Sequence, residues 1–291
     1  MNYIESSANK NIEKLWIIIS ILSLALGGLY SIFIVLLRTP FVSEFFLNKS
    51  IFKTSLIIHV DLTVLFWLTS FMMMIMSSNF VGFFARTTQN LQYIIIFSIL
   101  LISASPAVSS STPFLNNYVP VLHNFLFIVG LGLFFSCFVV IAIFAIISGS
   151  HISIPLGILS LMICISFGDS AYKLGYASDI LDQSHYYELL FWGCGHLLQF
   201  LYISGLIIIW YSPQISEASK NTHSSIRVEY LIYLNCMIVI FPLLIQLSMD
   251  IENSYYIYLF TEHMKIFGAV SFLICLIDAA VYQFFAKQAY Q

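Results

Sequence analysis

Residues 120–147 read PVLHNFLFIVGLGLFFSCFVVIAIFAII, twenty-eight positions without one Asp, Glu, Lys or Arg. Wound as an α-helix at about 1.5 Å per residue, this stretch outruns a hydrocarbon core of about 30 Å. Leaving that many apolar side chains in water is prohibitive, so the segment has to lie in lipid or inside a large core. The rest of the chain decides for lipid. Of 291 residues, 60% are hydrophobic and 9% charged, and 27 are Phe. A water-soluble domain carries about 25% charged residues. Eleven Lys+Arg and fourteen Asp+Glu cannot coat a soluble body of this size. The composition excludes a disordered chain, which is polar and poor in aromatics. The net charge of −3 leaves no basic patch for nucleic acid. The sequence describes a polytopic, all-α membrane protein whose first partner is lipid.

Further apolar runs lie near 15–37, 54–77, 91–108, 153–167, 187–211, 228–248 and 257–285, giving about eight spans in a single integral-membrane domain over 1–291. The first is too long for a cleavable signal peptide and no small-x-small site follows it. The longest linker, roughly 168–186, holds Asp169, Asp179 and Asp182. With eight spans, Lys10, Lys14, Arg86, Lys220, Arg227 and Lys287 share one side, and Arg38, Lys49, Lys53 and Lys173 the other. Six basic residues against four set the N-terminus in the cytoplasm, and the expected location is a cell membrane, the bacterial inner membrane. Cys137, Cys164, Cys194, Cys236 and Cys275 all fall in apolar stretches with no CxxC pair, and read as small apolar fillers.

Seven histidines remain. His151 and His223 fall in short inner loops. His185 sits just outside span six. Counting from span starts at 1.5 Å per residue, His59 is roughly 8 Å deep, His123 roughly 5 Å, His263 roughly 9 Å and His196 roughly 14 Å. Four spans thus bring imidazole to one outer band. Ionisable groups at such depth face the bundle interior and mark functional sites, and imidazole is a common ligand of haem iron, copper and zinc. The competing reading is that neutral histidines bridge helices by hydrogen bonds.

Two stretches bear on that choice. Residues 52–62 read FKTSLIIHVDL and continue to Phe66-Trp67, while residues 188–200 read ELLFWGCGHLLQF. They resemble the second and sixth helices of subunit I of the haem-copper respiratory oxidases, the superfamily that includes the nitric-oxide reductases. The resemblance implies that His59 ligates a haem and that His196 ligates a non-haem metal, copper or iron. It also implies a place among respiratory-chain subunits. The flanking Gly193 and Gly195 admit close approach of a flat cofactor or a neighbouring helix. Asp61 is too near His59 in sequence to share its face and is expected to serve another helix. Glu188 reads as a proton-handling group or as an interfacial glutamate.

The sequence also departs from that family. Where the seventh helix of the family ends on a histidine pair, residues 245–249 read IQLSM. The family core has twelve helices, and its tenth carries further haem ligands; about eight spans occur here. The resemblance therefore implies either a second chain carrying the missing helices or a relative without catalysis, acting as a membrane structural or interaction protein. Thr261-Glu262-His263-Met264-Lys265 offers a further candidate metal ligand in His263, and His123 reads as an inter-helix hydrogen-bonding residue. The Met72-Met73-Met74-Ile75-Met76 run points successive sulfurs about 100° apart, which suits packing better than copper transfer. Gly27-Gly28 and Pro242 read as packing and kink devices. No span holds two histidines, which disfavours a dihaem cytochrome b. A small-solute transporter would place its polar pocket at mid-membrane, whereas these polar residues gather in the outer third.

Overall fold

The structure is a computed structural model. It describes residues 2–42, 44, 50–108, 111–148, 151–175, 181–217 and 222–289, with side chains omitted at 2–10, 212–217, 222–227, 279 and 282–289. Lys10, Lys49, Asp179, Lys220, His223, Arg227 and Lys287, whose charges or placement entered the sequence reading, fall outside these residues or side chains.

Among the described residues eight long helices run in chain order. They are α1 (Asn2–Arg38), α2 (Ser50–Ser77), α3 (Gly82–Val108), α4 (Phe125–Ser148), α5 (Ser153–Leu174), α6 (Gln183–Glu217), α7 (Thr222–Ser248) and α8 (Ser254–Ala289). All eight contain a segment long and apolar enough to cross a membrane. The chain is a multi-pass helical membrane protein, as the apolar runs require. Between α3 and α4 lies a short antiparallel hairpin of β1 (Thr112–Phe114) and β2 (Val121–His123), with Thr112 opposite His123. Because spans alternate in direction, this hairpin shares an end of the bundle with Arg38, Ser50, Leu174, Gln183, Ser248 and Ser254. We call that end the hairpin face.

Three boundaries differ from the sequence reading. His123 closes β2 and stands on the surface, so it does not enter a span; Asn124 follows it and accepts from the Leu126 amide to start α4. The fifth span continues to Leu174, which places Asp169 inside α5 and not in a linker. The sixth begins at Gln183 and so contains His185. In the last two cases a polar residue at a helix end lowered the local hydropathy without ending the helix, whereas before α4 the apolar run extends past the helix start into β2.

Helix α2 widens into a π-helical turn at Asp61–Phe66, and α8 at Met264–Gly268. Such turns leave backbone carbonyls without their usual partners. Here Ser23 Oγ donates to the Leu62 carbonyl at 2.6 Å, and Thr63 Oγ1 to the His59 carbonyl at 2.6 Å. Two helix-interior prolines, Pro106 and Pro242, are answered the same way. Proline removes the N–H that would reach the carbonyl four residues back. For Pro106 that carbonyl is Ile102, which accepts from Ser105 Oγ at 2.8 Å. For Pro242 it is Ile238, which accepts from His263 of α8 at 3.1 Å.

Candidate functional site

On α6, the run Trp192-Gly193-Cys194-Gly195-His196 puts two glycines on either side of a buried imidazole that is 3% exposed. The side chains that occupy the space above each glycine define the site. A Cβ on Gly195 would stand 2.3 Å from Cγ of Tyr118, so the absent side chain is what admits the Tyr118 ring. A Cβ on Gly193 would stand 2.3 Å from Gln246 Oε1, 2.6 Å from the Tyr256 hydroxyl and 2.8 Å from Ser166 Oγ. The close approach expected at these glycines is therefore made by protein. The β-hairpin loop takes one cleft, and α5, α7 and α8 take the other.

His196 has both ring nitrogens engaged. Nδ1 lies 2.7 Å from the Trp192 carbonyl, which can only accept, so Nδ1 carries the proton. Nε2 then accepts from the Tyr118 hydroxyl at 2.8 Å. Aromatic rings enclose the imidazole, with centroids 4.6 Å away for Tyr118, 4.9 Å for Trp192 and 5.6 Å for Phe260. Burial, reinforced by the negative charge of Glu188, pushes the Tyr118 hydroxyl up to about 12, so it remains a donor across the physiological range. Glu188 itself anchors the hairpin loop. Its Oε1 accepts from Asn117 Nδ2 at 2.6 Å and its Oε2 from the Asn117 amide at 3.1 Å.

Beyond Gly193 the polar side chains form a second network. Gln246, wholly buried, accepts from Ser166 Oγ at 2.6 Å and donates to the Ser166 carbonyl at 2.7 Å and to Ser170 Oγ at 3.1 Å. Lys173 pairs with Asp169 at 2.8 Å and donates to the carbonyls of Gln246 and Met249, closing the C-terminus of α7. Gln246 stands in the IQLSM segment of residues 245–249.

His59, His263 and His123 make their hydrogen bonds elsewhere. His59 faces α1, where Nδ1 donates to the Gly27 carbonyl at 2.9 Å, and its Nε2 makes no hydrogen bond among the described residues. His263 packs against Phe200, centroid to centroid 5.6 Å, while its Nε2 is committed to Ile238. His123 bonds the Tyr187 hydroxyl at 3.2 Å on the surface. Asp61 is wholly buried at the start of the π-helical turn, and neither carboxyl oxygen has a partner among the described residues. The expectation that it serves another helix is not met. Among the described residues no three His, Cys, Asp or Glu side chains converge as a metal site. Sequence reasoning missed Tyr118, Gln246 and Tyr256. The glycine pair was the available signal, because glycines flanking a buried residue on a helix imply that something fills the space.

The fold and this packed hydrogen-bonded core define a multi-pass helical membrane bundle. Over 97% of its length the chain is 33% identical to an uncharacterized protein of Rickettsia prowazekii (strain Madrid E). It spans 62% of the length of that relative. No protein-family model matches the chain, and no solved structure does.

Proposed function

We propose that the protein is a relative of haem-copper oxidase subunit I that serves in the cell membrane as a structural or interaction protein, its hairpin facing outward and its N-terminus cytoplasmic. The observation that carries this reading is the state of His196. Ligation needs a lone pair on a ring nitrogen, and here Nδ1 is spent on Trp192 and Nε2 on Tyr118. The side chains of Tyr118, Gln246, Tyr256 and Ser166 fill the clefts that a cofactor would occupy. As arranged, the residues at His196 do not fit a copper or non-haem iron centre, and no step is routed through one.

A second reading rests on His59. Its Nδ1–H is oriented by a backbone carbonyl and its Nε2 carries no hydrogen bond among the described residues, which is how imidazole is prepared for a metal. On that reading the chain would hold one haem at His59 and pass electrons within a respiratory assembly, with further ligands from another chain. A reduced-minus-oxidised visible spectrum, haem extraction and metal analysis on the protein purified from haem-replete cells separate the two. The structural reading expects substoichiometric haem, copper and iron. Stoichiometric haem lost in His59→Ala overturns it in favour of the second reading. Stoichiometric metal lost in His196→Ala overturns it in favour of a catalytic centre.

A further inference from the structure

A cleft of about 650 Å³ lies between α4, α5 and α6, within the usual range of small-molecule sites. Neither His59 nor His196 lines it. Its α4 wall runs from Ile128 to Val139, twelve residues or roughly 16 Å of helix. Along that wall Ile128, Gly132 and Ser136 are exposed at four-residue spacing, so the cleft opens sideways toward lipid. Gly132 leaves the opening wide, since a Cβ there would meet nothing within 4 Å. Phe135 and Phe167, stacked at 14° with centroids 6.0 Å apart, form the inner wall together with Phe191, 5.6 Å from Phe167.

Polarity along the cleft is one-sided. At the hairpin face stand His123, Tyr186 and Tyr187, with the His123 Nδ1 and the Tyr187 hydroxyl 3.2 Å apart. Deeper in, the Ser136 hydroxyl is spent on the Gly132 carbonyl at 2.7 Å and the Cys194 thiol on carbonyls of its own helix. Among the described residues no Lys, Arg, Asp or Glu lines the cleft. An occupant must therefore be apolar over most of its length and able to hydrogen-bond at one end, and no charged side chain among the described residues compensates a charged head.

We propose that this cleft binds a neutral membrane amphiphile, its single extended tail along α4 and its hydroxyl or carbonyl head on His123 and Tyr187. The site is independent of the reading of His59 and His196, and a haem found there would leave it standing. The test uses the full chain in nanodiscs with a diazirine-bearing monoacylglycerol, and peptide mapping of the adducts. Labelling is expected on α4, α5 and α6 and falls at least tenfold with excess unlabelled monoacylglycerol. Gly132→Phe, built into open space, lowers it about tenfold, while Gly28→Phe on α1, also open, leaves it unchanged. The pair His123→Ala and Tyr187→Phe weakens half-saturation about fivefold to tenfold, as expected for a lost hydrogen bond or two. Should Gly132→Phe fail to fold, the competition result on the unaltered protein decides. Labelling that resists competition, persists in folded Gly132→Phe, or is matched by a diazirine-bearing phosphatidylglycerol of equal chain overturns the proposal.

Discussion

Gly195→Ala places one methyl group where Tyr118 already is. The new Cβ would lie 2.3 Å from Cγ, 2.5 Å from Cβ and 2.7 Å from Cδ1 of that tyrosine. These are the root of the side chain, tied to a hairpin loop that Glu188 holds by two hydrogen bonds, so the ring has no easy retreat. Overpacking of this kind costs about 1–3 kcal/mol. Displacing the hydroxyl also strands the buried His196 Nε2, at a further ~1–3 kcal/mol. Alanine recovers up to about 1 kcal/mol over glycine within a helix. The balance is a destabilisation of about 1–6 kcal/mol, an apparent Tm lowered by about 2–4 °C for each kcal/mol lost. Cys137, Cys194, Cys236 and Cys275 are buried and unpaired, so thermal unfolding in detergent can be followed with a thiol-reactive fluorophore. Gly168→Ala, whose Cβ meets nothing within 4 Å, serves as the control and holds its Tm. Tyr118→Ala in the Gly195→Ala background removes the clash, so the double variant is more stable than the two single losses predict. Strict additivity, or a Gly195→Ala protein as stable as the control, would refute the packing argument.

Three other outcomes follow from the same networks. Tyr118→Phe keeps the ring and removes the donor, lowering stability by about 1–3 kcal/mol; because the folded value sits near 12 against 10.0 for an ordinary tyrosine, that advantage over the variant is full below pH 10 and fades between pH 10 and 12, which alkaline unfolding titrations measure. His263→Leu strands the Ile238 carbonyl and costs about 1–2 kcal/mol in the unaltered chain but little in a Pro242→Ala background, where the residue 242 amide resumes its helical bond; a double-mutant cycle by thermal unfolding checks it. Lys173→Met leaves Asp169 without its cation and uncaps α7, a loss of about 3 kcal/mol that Asp169→Leu in the same chain largely reverses, read as paired shifts in apparent Tm.

Most of the fold was legible because crossing a membrane is a property of a contiguous segment. The run 120–147 announces a span whatever surrounds it, and seven others do so at nearly the right places. The errors fell at polar residues near helix ends, His123, Asp169 and His185, where hydropathy drops before or after the backbone hydrogen bonding does. That His59, His196 and His263 lie on spans was legible too, although the helices carrying them start earlier than the apolar runs do, at Ser50, Gln183 and Ser254.

What each imidazole touches was not legible. Tyr118 reaches His196 across 78 positions, Lys173 reaches Met249 across 76, and His263 reaches Ile238 because a proline four residues beyond freed that carbonyl. None of these partners carries a local signature, because hydrogen bonds between helices depend on which faces the packing turns toward one another. The sequence by itself determined a bundle of membrane spans, with histidines on several of them and glycines beside one. Only the tertiary structure decided that the glycine clefts are filled by Tyr118, Gln246, Tyr256 and Ser166, and that an open cleft lies elsewhere, between α4, α5 and α6. Small residues specify only that something approaches closely, and the fold selects what does.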